Sequence, residues 1–242
     1  VEKSAERGKA VDGKHFENEL LLLRSDISSL LALVLESFEL SVQSCEDASP
    51  KLAKKVIAMD DMIDEINRKV EDSVYQIIAR YHPLGKELRY VISMIKFSNN
   101  LERIGDLSVN IAEKEIMIDK GNLSYKPPKE LKRMIGMAIQ MIKEAFAAFS
   151  ERDQEKAIAV WKKDDLIDNL EIEMNQHVIR KMDKKDIDKE LFVLYILIGR
   201  DIERIADHAT NLCEELLYIE TGKNFGQIVP KDRDMNGNHS HC

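Results

Sequence analysis

Apolar side chains recur every three and four positions along most of the chain. Phe16, Leu20, Leu23, Ile27, Leu30, Val34 and Phe38 form one stripe, the spacing of a helix that packs along a single seam, and they predict a first helix over 14–46. Ser49-Pro50 reads as the next start, a capping hydroxyl followed by proline at the first helical position, where the missing N–H costs nothing. That second helix runs to about Tyr81, where His82-Pro83-Leu84-Gly85 ends it. A third extends from near Lys86 to about Ile118. Lys120-Gly121-Asn122 and Pro127-Pro128 are the one Pro/Gly cluster between long periodic segments, so the boundary between halves is placed there. Beyond it the plan repeats. Ile135, Ile139, Ile142, Phe146 and Phe149 seam a fourth helix, Val160, Ile167, Leu170, Met174 and Val178 a fifth, and a sixth covers 189–220. The expected fold is all-α, two tandem three-helix bundles over 14–120 and 127–221, with helices of ~30 residues and ~45 Å. A disordered N-terminal tail over 1–13 and a flexible C-terminal tail over 222–242 are expected to flank them.

The polar positions repeat as well. Glu102-Arg103-Ile104-Gly105-Asp106, with Asn110 and Glu113 after it, returns as Glu203-Arg204-Ile205-Ala206-Asp207, with Asn211 and Glu214. At ~100° per residue, steps of 4, 8 and 11 place the Asp, Asn and second Glu within roughly 80° of one another, a single acid-and-amide stripe. The second helix carries Asp60, Asp64, Asn67 and Glu71, and the fifth carries Asp164, Asp168, Glu171 and Asn175. Each stripe precedes its Glu/Asp partner by a similar distance, so an internal repeat covers both bundles.

Composition narrows the chemistry. The chain has 242 residues, 10 Gly, 5 Pro and a net charge of −8, a balance that suits helices and argues against a nucleic-acid partner, whose phosphates need clustered Lys and Arg. Cys45, Cys213 and Cys242 are far apart and in no metal-binding or disulfide pattern, which fits a reducing compartment. No apolar run approaches the ~18 to 20 residues that cross a bilayer, and residues 1–12 are too polar for a signal peptide. The chain therefore reads as cytoplasmic and soluble.

If the second and third helices pack antiparallel, two rows of carboxylates face each other. Like charges already cost a few tenths of a kcal/mol at i, i+4, and two opposed rows cost more unless a cation or protons intervene. All-oxygen ligands are hard and favour Mg, Ca, Mn or iron over a thiolate-bound zinc. The competing reading is a solvated face, with Arg103 and Arg204 pairing to neighbouring acids; duplication of the same letters at the same offsets weighs for the cation. No Glu-x-x-His pair, Gly-rich phosphate loop, Gly-x-Ser-x-Gly elbow or His-Glu-x-x-His is present, so catalysis has little support. A carboxylate-bridged metalloenzyme remains the alternative from a different class. His208 beside Asp207 is read as a hydrogen-bonded side chain, and Trp161, Met134, Met137 and Met141 as packing.

With these motifs in hand, the chain resembles the PhoU family of phosphate-regulation proteins over roughly residues 15–220. The matching pieces are Val56-Ile57 with Asp60 to Asp64, the Pro83 turn, Leu101 to Asp106 with Asn110 to Glu113, and Ile202 to His208 with Asn211. The resemblance implies two tandem three-helix bundles and a cytoplasmic negative regulator of phosphate uptake and of the phosphate-starvation response. The implied partners are the ATPase of a phosphate ABC transporter and a phosphate-sensor histidine kinase, reached at the membrane periphery, with homodimer formation open to it. A second form that the resemblance allows is the PhoU-like regulatory region of a sodium/phosphate carrier. It also implies multinuclear metal, iron foremost, with Zn, Mn, Mg and Ca as other ions. By position, the metal would lie on Asp60, Asp64, Glu102 and Asp106 and on Asp164, Asp168, Glu203 and Asp207. Asn100 stands where the second copy has Asp201, and Leu107 where it has His208; the second site is therefore expected to hold metal more fully than the first.

Overall fold

A computed structural model describes residues 2–121, 127–182 and 189–229, with side chains from Gly13 onward. Among the described residues the chain forms α1 (Glu2–Glu46), α2 (Pro50–Tyr81), α3 (Gly85–Lys120), α4 (Lys129–Glu151), α5 (Gln154–Trp161), α6 (Asp164–Met182), α7 (Lys189–Thr221) and α8 (Phe225–Ile228), and no strand. The expected seams are the ones that are buried. Leu23, Ile27, Leu30, Val34 and Phe38 of α1 and Ile167, Leu170, Met174 and Val178 of α6 all lie in the core, each full burial contributing about 1.5–3 kcal/mol.

Four local features differ from the sequence expectation. Helix α1 reaches back to Glu2, because residues 2–12 hold good helix formers and no proline, which continue the helix on propensity without a seam to reveal it. Pro50 opens α2 as expected, but the Ser49 side chain makes no capping bond; the N–H groups of Leu52 and Ala53 donate to the Ser49 backbone carbonyl instead. The fifth helix is broken into α5 and α6. Lys162 and Lys163 tighten onto Ile158 and Val160 carbonyls, Trp161 stacks on Phe225 of α8 at 4.4 Å, and Asp164 and Asp165 then open α6, where the positive helix end favours them. Val160 and Ile167 keep the seven-residue spacing across that break, so periodicity could not register it. Finally, α8 falls inside the C-terminal segment expected to be flexible, closed by a capping box between Asn224 and Gln227; residues 230–242, His239 and His241 among them, lie outside the described residues.

Helices α1, α2 and α3 pack on one another, and α7 packs on α4, α5 and α6. The two bundles meet chiefly along α3 and α7, the helices that carry the duplicated Glu/Asp motif. Their register is antiparallel, with Lys96 Nζ 3.0 Å from Glu215 Oε1 and Lys114 Nζ 2.6 Å from Asp201 Oδ2. Phe97 of α3 meets Phe149 of α4 at 4.3 Å across the same junction.

Candidate metal centre

Within the first bundle, Asn67 Nδ2 donates to Asn99 Oδ1 at 3.1 Å, while a Cβ on Gly105 would come within 2.9 Å of Ile63 Cδ1. Residue numbers rise on α2 as they fall on α3, so the two helices run antiparallel, and glycine lets them approach closely. This places Asp60 and Asp64 beside Glu102 and Asp106. Burial first, then the charges of Asp106 and Asp64, raise the Asp60 pKa; burial, then Asp106, raises that of Glu102. Arg103 offsets part of that repulsion, with Nη1 2.8 Å from Asp106 Oδ2 and Nε 3.4 Å from Glu102 Oε2.

The second bundle repeats the arrangement. Burial and then Asp207 and Asp168 push Asp164 up to about 7, and burial, Asp207 and Glu171 push Glu203 up to about 7. Among the described residues Glu203 and Asp164 form no ion pair. All eight expected residues are thus gathered into two clusters of four, one in each bundle. Glu113, Glu171 and Glu214, stripe members outside that set of eight, add to the same fields.

Asp201 and His208 belong elsewhere. Asp201 turns toward α3 and pairs with Lys114, and His208 Nδ1 lies 2.9 Å from Asn100 Oδ1, also on α3. Burial, then Arg204 and Arg103, lower the His208 pKa. The two residues that were expected to enrich the second site in fact join the bundles. Burial and neighbouring acids nonetheless raise the Asp164 and Glu203 carboxyls of the second site up to about 7.

A cation fits these donors on one structural ground. Asp60 Oδ1 and Asp164 Oδ1, at matching places in the repeat, are shielded from solvent and accept no hydrogen bond, as are Asn67 Oδ1 and Asn175 Oδ1. Shielded oxygens normally have partners, and a hard cation would supply one. Among the described residues no three His, Cys, Asp or Glu side chains meet at ligating geometry, so several carboxylates could share one ion only after side-chain rotation.

Comparison with known proteins bears on the whole arrangement. The model of the PhoU domain matches residues 27–114 and 131–216, one match for each bundle. The chain belongs to the PhoU family. The phosphate-specific transport system accessory protein PhoU homolog 1 of Thermotoga maritima is 50% identical over 219 residues, covering 90% of this chain and 94% of its own. The crystal structure of PhoU from Pseudomonas aeruginosa superposes with a TM-score of 0.82 at 28% identity, over 86% of this chain and 100% of the other. That of the phosphate transport system regulatory protein PhoU from Streptococcus pneumoniae gives 0.79 at 27%, over 86% and 98%. Each PhoU match contains a complete pair of facing stripes, so the clusters at Asp60/Asp64/Glu102/Asp106 and Asp164/Asp168/Glu203/Asp207 fall inside the matched domain residues.

Proposed function

We propose that this chain regulates phosphate transport, acting as an adaptor between a phosphate ABC transporter ATPase and a phosphate-sensor histidine kinase. In this reading it holds multinuclear metal, iron foremost, on its two carboxylate clusters. The regulatory part is supported by membership of a family whose relatives are named as phosphate transport accessory and regulatory proteins. The metal part is carried by the shielded, unpartnered Asp60 and Asp164 oxygens at matching places in the repeat. The protein would work in the cytoplasm and reach the membrane through its partners; no helix among the described residues is long and apolar enough to cross a bilayer.

Metal content decides the second claim. Untagged protein, prepared without chelator and ending before His239, should carry metal, and Glu203→Gln/Asp207→Asn should lose affinity by at least the ~10-fold that removing an outer-shell partner costs. Equal metal in both would sink the assignment. For the first claim, the ATPase or the kinase should co-purify from phosphate-replete cells, and failure of both would refute the adaptor role.

A further inference from the structure

A cavity of about 160 Å³ lies between the bundles, near the N-terminal end of α3 and away from both carboxylate clusters. Phe146, Phe149, Leu216 and Ile219 form its apolar wall, and Tyr90 stands beside two arginines that also line it. Arg24 Nε donates to Tyr90 Oη at 2.7 Å, and the Arg24 guanidinium carbon stands 5.1 Å from the Tyr90 ring centroid. The Arg152 guanidinium carbon stands 6.0 Å from the same centroid. Arg152 is set there by the chain path: it ends α4 in the left-handed region at φ 56, with its N–H donating to the Ala148 and Phe149 carbonyls, an uncommon conformation for a side chain of this size.

These two cations are poorly compensated. Among the described residues no carboxylate comes within ion-pair distance of Arg24, and Arg152 has only Glu220, at 3.9 Å. Glu220 also lines the cavity, with its Oε1 shielded and accepting no hydrogen bond, while Lys86 holds its other oxygen at 2.6 Å. Both guanidiniums stand within about 6 Å of one phenol ring, and a divalent anion that reaches both offsets their like charge. Guanidinium forks match a phosphoryl group with paired, charge-assisted hydrogen bonds. Tyr90 accepts from Arg24, so its own O–H can donate onward. The volume equals about five waters at ~30 Å³ each, enough for a tetrahedral oxyanion.

We propose that this inter-bundle cavity binds a phosphoryl dianion, gripped by Arg24 and Arg152 with the Tyr90 hydroxyl as a further donor. The ligand is inorganic phosphate or a phosphate monoester; the rings of Phe146 and Phe149 would favour a monoester with an apolar group. The site is separate from the metal clusters and does not depend on them.

Calorimetric titration of the full chain with inorganic phosphate and with phenyl phosphate tests this. Saturable binding of one equivalent is expected, weakened at least about tenfold in Arg24→Gln/Arg152→Gln, the loss that two charged hydrogen bonds imply. Glu220→Gln, which removes the competing acid and keeps both arginines, should bind more tightly. Glu203→Gln/Asp207→Asn should bind as the parent does, which separates the cavity from phosphate held on metal. Tighter binding of phenyl phosphate identifies a monoester site, and equal or weaker binding an inorganic phosphate site. No saturable binding of either probe, or unchanged affinity in both the arginine and the Glu220 variants, would overturn the proposal.

Discussion

Glu115 on α3 is 1% exposed, and one of its carboxylate oxygens has no hydrogen-bond partner. Burial, then the charge of Asp119, pushes it up to about 7, while its hydrogen bond with Cys45 pulls the other way. The Cys45 thiol is itself pushed up to about 12, by burial and then Glu115, so it donates a proton rather than acting as a nucleophile. The folded chain holds a proton on Glu115 that the unfolded chain releases near its usual ~4.3. Its contribution to stability is therefore complete below that value and is lost as pH rises through about 7. Glu115→Gln keeps the neutral shape without the titration. Melting temperatures of parent and variant should diverge between roughly pH 5 and pH 8, with the variant ahead at the upper end; parallel curves would show that Glu115 does not titrate in this way.

Between elements, the contact that most constrains the molecule is the buried pair of Lys114 on α3 and Asp201 on α7, whose side chains are 16% and 11% exposed. Removing one partner strands the other, so Lys114→Met should cost about 3–5 kcal/mol in a denaturant melt, and Lys114→Met/Asp201→Leu should recover most of it. If the single and double variants were equally unstable, the cost would lie in packing and not in charge. This contact also shows what the sequence could carry. Apolar seams and acidic stripes were legible because they recur at helical spacing; the seams are buried, and the half-buried stripes face each other within each bundle. Asp201 stands two residues before Glu203, about 200° around the helix, so the spacing already placed it on another face from the acidic stripe. Which neighbour that face would meet depends on how α3 and α7 dock, and no single-helix pattern encodes that. Ser49 and the break after Trp161 were missed for a related reason: backbone carbonyls and a distant Phe225 satisfy groups that local motifs would have satisfied otherwise.

At the scale of the whole molecule, α3 and α7 both carry the duplicated Glu/Asp motif and form the junction between bundles. Loss of either bundle exposes the apolar face of the other, so the two should unfold together. Trp161, the single tryptophan, sits in the second bundle against Phe225, and its fluorescence reports on that half alone. Its thermal transition should coincide with the loss of helical circular dichroism from the entire chain; a separate midpoint would mean that the bundles melt independently. The junction also bears on the duplication. Asn100 accepts its partner His208 and Asp201 accepts Lys114, and 100/201 and 107/208 are among the positions where the copies differ. Two copies of the second half, docked in the same register, would set Asp201 against Glu215, acid against acid. Two copies of the first would set Asn100 against Leu107. The halves have thus become lock and key to each other, and the covalent link between them joins two pieces that no longer pair with their own kind.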